Sequence, residues 1–191
     1  MWVRTSFDEA IAPGAKNFDF NLQQFSITEE RKQAVDFSSP YYNTAQAVIT
    51  VAGSAAAEAK SLADLQGLLI GAATGTTSLA AIEDIIKPTA GAQAFNSNDD
   101  AKAALANGQV DAIVVDLPTA LYLTAVELDG GLILGQLEGA QSGDSFGLVL
   151  DKGSPLTAAV SAAVDALREN GKLAEIEKTW LADFAGAPVL K

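Results

Sequence analysis

Hydrophobic and polar positions change their period several times along this chain, and each change marks an element. Phe18-Asp19-Phe20-Asn21-Leu22 alternates bulky apolar with polar residues, which predicts a strand. A helix is expected next, with Thr28 as its N-cap and Glu29 and Glu30 in a first turn where negative charge suits the helix dipole. Ser39-Pro40 closes this region in extended chain, since proline turns the preceding residue away from the helical region. Residues 46–51 are apolar and β-branched and read as a strand; the Ala-rich residues 53–60 read as loop or frayed helix.

From Leu65 onward short apolar runs alternate with helical spacing. Residues 68–73 read as a buried strand that meets Thr74-Gly75-Thr76-Thr77-Ser78 and then a helix to about Ile86. Ser97-Asn98-Asp99-Asp100 caps another helix ending near Gly108, residues 110–115 read as a second buried strand, and 117–127 as a helix. Strands alternating with helices predict a parallel sheet with right-handed crossovers. Gly130-Gly131 and the Gly-rich residues 135–147 mark a return connection to a strand over 146–150. Ser154-Pro155 then suits the N-cap and first position of a helix. Its apolar face is Leu156, Val160, Ala163, Val164 and Leu167, and Gly171 stands past its end. A last helix carries Leu173, Ile176 and Trp180.

This order fits two α/β lobes: a discontinuous first lobe of residues 1–44 plus 138–191, and a second of 45–137. Two crossings, near 44–45 and 135–138, make a hinge, and a ligand is expected in the cleft between the lobes.

Composition narrows the chemistry. With 49% hydrophobic and 19% charged residues, the 191-residue chain is expected to be globular and soluble. A formal charge of −12 argues against nucleic acid and anionic lipid as partners. No His and no Cys means no Ser-His-Asp or Cys-His pair, no disulfide and none of the usual zinc sites, so neither cofactor nor metal is expected. The most apolar stretch, 112–126, is broken by Asp116 and Pro118 and is too short to span a bilayer. The opening Met1-Trp2-Val3-Arg4-Thr5-Ser6-Phe7 reads as neither a secretory nor a lipidation signal.

A few residues could carry function. Arg31 lies early in the expected helix after the first strand, where backbone N–H groups favour an anion and a guanidinium adds a bidentate partner for a carboxylate. The bland alternative is a solvated surface arginine. Thr76 and Thr77 either cap a helix or offer hydroxyls to a carboxylate at a strand-to-helix turn. Asp116, before Leu117-Pro118, is an N-cap or an acceptor for an ammonium. Phe7 is core or an aromatic wall, and Gln23 and Gln24 suit a polar cleft better than a core. Together these groups complement an α-amino acid.

The run Ser26-Ile27-Thr28-x-x-Arg31, followed by Asp36-Phe37-Ser38-x-Pro40-Tyr41, resembles the signature of the amino-acid-binding branch of the extracytoplasmic solute-binding proteins of ABC transporters. The resemblance runs from Trp2-Val3-x-x-x-Phe7-Asp8 to Lys178-Thr179-Trp180, with Gly75-Thr76-Thr77 and Val115-Asp116 at the family's second-lobe contacts. It implies the two-lobe type II periplasmic-binding-protein (venus-flytrap) architecture. It also implies that Arg31 and Thr77 hold a ligand carboxylate, that Asp116 with Gln24 and Ser26 holds the ammonium, and that Phe7 packs on the ligand. Members begin with a signal or lipoprotein segment, a strand, a helix and a second strand; this sequence resembles a member whose first lobe lacks that N-terminal part. The implied function is non-catalytic binding of a free polar L-amino acid outside the cytoplasm, for delivery to a membrane permease. Alternatives are a truncated assembly piece, dimeric through the first lobe, and a dehydratase-type enzyme on the same fold.

Overall fold

In the computed structural model, residues 1–137, 144–181 and 187–191 are described, and they fall into two compact units. Residues 1–43 with 144–181 make the first, and 44–137 with 187–191 the second.

The second unit is built around β4 (Gln46–Val51), whose residues Ala47, Val48 and Ile49 are wholly buried. β4 pairs antiparallel with β7 (Ala112–Asp116) on one side and β8 (Gly131–Leu137) on the other. β7 continues parallel to β5 (Ile70–Ala73), and β5 to β6 (Gln93–Phe95). The sheet is therefore mixed, not the wholly parallel one expected from alternation. The β5-to-β7 segment does wind in parallel, with α3 (Thr77–Ala81) and α4 (Asn98–Ala106) as crossovers. β4 joins it from outside that winding, and so it can run the other way.

Period-2 geometry explains the unbroken apolar runs. Val48, Ile70, Ala72 and Val114 pack with Leu65, Ile82 and Ile86 on one face, while Ala47, Ile49, Ile113 and Val115 pack with Ala101, Leu105 and Ala120 on the other. A sheet covered on both faces needs apolar residues at every position. Ser97 caps α4 through a hydrogen bond from Asp100 N–H at 3.1 Å, as the sequence predicts. Two helices end in wider π turns: α3 continues over Ile82–Ile86, and α5 (Leu117–Tyr122) over Leu123–Glu127.

The last strand, β10 (Val189–Leu190), pairs parallel with β8, so the chain's end lies in the second unit and not with the first-lobe segment 138–191. Gln136 N–H donates to Pro188 C=O at 2.7 Å, and glycine at 135 leaves room for that carbonyl, which a Cβ would approach to 2.6 Å. The expected return crossing at 135–138 falls partly on β8, which continues to Leu137; residues 138–143 lie outside the described residues.

In the first unit β9 (Asp144–Asp151) is the common partner of β1 (Asn21–Ser26), β2 (Val35–Phe37) and β3 (Tyr42–Thr44). β1 starts three residues later than the 18–22 alternation suggests and runs four residues further. It bulges between Asn21 and Phe25, and Gln24 takes a positive φ of 60° there. The expected helix at Thr28 is a single 3-10 turn, Arg31–Gln33. Val35 must re-enter the sheet opposite Asp151, which leaves no length for an α-helix.

Asp36, Ser38 and Ser39, from the most recognisable run in the sequence, are fasteners. Asp36 accepts from Gly153 N–H (3.1 Å) and the Thr157 hydroxyl (3.2 Å), and pairs with Lys152 at 3.2 Å. The Ser38 hydroxyl accepts from Leu148 N–H (3.0 Å). Ser39 donates its N–H to Ser161 and its hydroxyl to Asp165 (3.1 and 3.0 Å). Three of these partners, Thr157, Ser161 and Asp165, lie on one helix, α6 (Thr157–Glu169), which starts two residues after the Pro155 expected at its first position. Gly171, at φ +78°, follows α6 where the sequence places it and leads into α7 (Lys172–Trp180).

Candidate ligand-binding site

In the first unit two of the sequence-predicted residues, Phe7 and Ser26, meet at Arg31. Ser6 caps α1 (Phe7–Ile11) in a reciprocal capping box with Glu9, which places Phe7 in the first turn. Phe7 stacks on Phe25 of β1, with centroids 4.1 Å apart and planes 24° from parallel. The Arg31 guanidinium lies 5.5 Å from the Phe7 centroid and 5.7 Å from that of Phe25, within cation–π range of both. Its Nη1 donates to Ser26 C=O at 2.8 Å, while its backbone N–H donates to the Thr28 hydroxyl at 3.1 Å.

Arg31 is 9% exposed, so the surface-arginine alternative does not describe it. The helix-terminus argument for it also falls, because no α-helix begins there. A carbonyl and two aromatic rings take part in orienting the guanidinium. Ser26 is buried and touches Arg31 through its backbone, whereas Gln24 is exposed on the bulge. Gln23 is tied locally to Asn21, by N–H to Oδ1 at 2.9 Å and Oε1 from Nδ2 at 2.8 Å. Glu29, beside the turn, pairs with Lys32 at the surface.

In the second unit Thr76 is the N-cap of α3. Its hydroxyl accepts from Leu79 N–H (3.2 Å) and donates to Ala73 C=O (2.6 Å), so its proton is engaged in the turn. Gly75, at φ +69°, turns the chain from β5 into this cap. Thr77, one residue on, directs its hydroxyl elsewhere, toward Gln46.

Asp116 stands at the N-cap of α5, but its side chain makes no capping hydrogen bond. Its Oδ1 instead accepts from Gln46 Nε2 at 2.8 Å. Thr77 and Asp116 are thereby brought together through one buried amide. Sequence reading missed that residue; the available signal was a lone glutamine opening the apolar run 46–51. Among the described residues no three Asp, Glu, His or Cys side chains converge as a metal site would require.

Solved structures carry the same fold. The arginine-, lysine-, histidine-binding protein ArtJ of Geobacillus stearothermophilus superposes with a TM-score of 0.71 at 29% identity, over 88% of this chain and 71% of its own. Fold and neighbours together define the class, the type II periplasmic amino-acid-binding proteins.

Sequence comparison places it more closely. The L-arginine-binding protein of Pseudomonas aeruginosa is 33% identical over 187 residues, 94% of this chain and 71% of the relative. A probable histidine-binding protein of Campylobacter jejuni is 32% identical over 157 residues, 80% of this chain and 57% of the relative. Residues 1–183 match the model of the bacterial extracellular solute-binding proteins, family 3, and the chain belongs to that family. These are solute-binding proteins of ABC transporters, and all three relatives bear the names of amino-acid-binding proteins.

Proposed function

We propose that this chain binds a free polar L-α-amino acid in the interlobe cleft expected from the sequence and delivers it to an ABC permease. Arg31 and Thr77 receive the carboxylate, with Thr76 shaping the turn beside it. Asp116, with Gln24 and Ser26, receives the ammonium, and Phe7 packs on the ligand.

The observation that carries the reading is the Arg31 guanidinium, nearly buried yet oriented by Ser26 C=O and the faces of Phe7 and Phe25. A fork held in one plane loses little freedom when a carboxylate docks on it. The names of the relatives, for arginine and histidine, support a polar side chain.

A thermal-shift panel of the L-amino acids tests this. A ligand present at about 100 times its Kd adds about 2.7 kcal/mol of stability, a rise of several degrees. One or a few polar amino acids should give that rise, and Arg31→Ala and Asp116→Ala should each abolish it. A cooperative melt that no amino acid moves would sink the reading.

One observation favours a second reading, about assembly. Phe20, Leu22, Leu156, Leu167, Ile176 and Trp180 of the first unit are all at least 40% exposed, and β1 is an edge strand. A second copy of this chain is proposed to cover that surface, since an apolar edge is a template for pairing. The mass in solution is the test.

A further inference from the structure

Gln46 is an unusual residue for its position. It opens β4 beside wholly buried Ala47, Val48 and Ile49, and is itself 1% exposed. Burying a primary amide is costly unless its polar atoms find partners. Here Nε2 donates to Asp116 Oδ1 (2.8 Å) and to Thr77 Oγ1 (3.2 Å), while Oε1 accepts from the buried Ser78 hydroxyl (2.6 Å). Both N–H groups and the oxygen are engaged.

The amide can sit only one way round. A carboxylate is acceptor-only, so Asp116 demands the nitrogen, and the Ser78 hydroxyl turns to donate into the oxygen. Backbone register supports the arrangement, because Gln46 lies directly opposite Asp116 across the antiparallel β4–β7 pair. Ser78 comes from the first turn of α3, immediately after Thr77. One side chain behind the half-buried pair thus holds an oxygen of the Asp116 carboxylate and the hydroxyl oxygen of Thr77.

We infer that Gln46 is a positioning residue for amino-acid recognition: it touches no ligand, but aims Asp116 at the ammonium and Thr77 at the carboxylate. This rests on the binding reading above, and its specific content is the coupling. Removing Gln46 takes a hydrogen bond from a buried donor away from Asp116 and another away from Thr77. Loss of Gln46 should therefore weaken recognition of both ends of the α-amino-acid group, whatever the ligand's side chain.

Two measurements decide it. The first needs no ligand. In the ¹⁵N-labelled chain, the Gln46 side-chain NH₂ signals, identified by their disappearance in Gln46→Met, should exchange with water at least about tenfold more slowly than those of exposed glutamines. One of the two protons should move on Asp116→Asn and the other on Thr77→Val.

The second is a titration of wild type, Gln46→Met, Asp116→Asn and the double variant with L-arginine and with L-glutamine. Gln46→Met should cost about tenfold in affinity in the wild-type background and under about twofold beside Asp116→Asn. Gln46→Glu, of the same shape but lacking both N–H donors, serves if the Met variant folds poorly and should lose at least as much.

Rapidly exchanging Gln46 protons, or a loss that is undiminished in the Asp116→Asn background, overturns the positioning role while leaving amino-acid binding intact. A wild-type chain that no L-amino acid stabilises overturns the binding reading instead, and the role of Gln46 falls with it even if its amide protons are protected.

Discussion

Phe25 shows how much one residue carries in the first unit. It is wholly buried, stacks on Phe7, and presents its face to the Arg31 guanidinium. Among the described residues it shares a buried cluster with Ala10, Val35 and Val149, against which Phe7, Ile11, Phe18, Ala34 and Phe37 pack. Phe25→Ala should cost about 3–5 kcal/mol, the lost burial of a wholly buried ring plus the cavity it leaves. Urea denaturation followed by circular dichroism measures this, and a change below 1 kcal/mol would contradict the packing described. Arg31 itself was legible as a candidate, since an arginine beside Ser26 and Thr28 suggests an anion. Its two aromatic supports were not, because Phe7 is eighteen residues from Phe25 and nothing local announces the stack. Gln46 was hidden for the same reason: its partners Thr77, Ser78 and Asp116 are distant in sequence.

Elements were legible where local chemistry decides them. Ser97 and Gly171 are read directly from capping and from left-handed backbone preference. The turn at Arg31–Gln33 was not, since helix-like composition yields when the chain must return to β9 within a few residues. The short helix α2 (Leu62–Leu65) rests on a reciprocal cap between Ser61 and Asp64. Lys60 N–H, then the Ser61 hydroxyl, hold the Asp64 carboxyl below its usual range. A carboxyl with a lowered folded pKa favours the folded state above the ordinary carboxylate pKa, and that help is lost as pH falls through the folded value. Stability should therefore drop on acidification below about pH 4, and Asp64→Asn should remove part of the drop while costing stability at pH 7. Urea midpoints at pH 7 and pH 3 check it; an equal acid loss in wild type and Asp64→Asn would rule this cap out as a contributor.

At the scale of the whole molecule the two units differ in how well they are covered. The second has cores on both faces of its sheet, whereas in α6 and α7 only Val164 is buried and Trp180 is 73% exposed. The proposed pairing of two copies predicts twice the 19.7 kDa chain mass in sedimentation equilibrium. Trp180→Glu together with Leu22→Glu should return the chain to the single mass, since a buried unpaired charge is costly at an apolar interface. A wild-type chain of single mass at all concentrations would discard the assembly reading.

Period, caps and composition by themselves determined that strands and helices alternate, that His- and Cys-based chemistry is absent, and that Arg31, Thr77 and Asp116 deserved attention, because each follows from residue types close together in the chain. Tertiary structure alone decided the antiparallel entry of β4, the return of β10 to the second unit, the stacking on Arg31 and the grip of Gln46 on Asp116. These depend on which distant segments meet, and burial and hydrogen-bond satisfaction between such segments select a partner that no local pattern encodes.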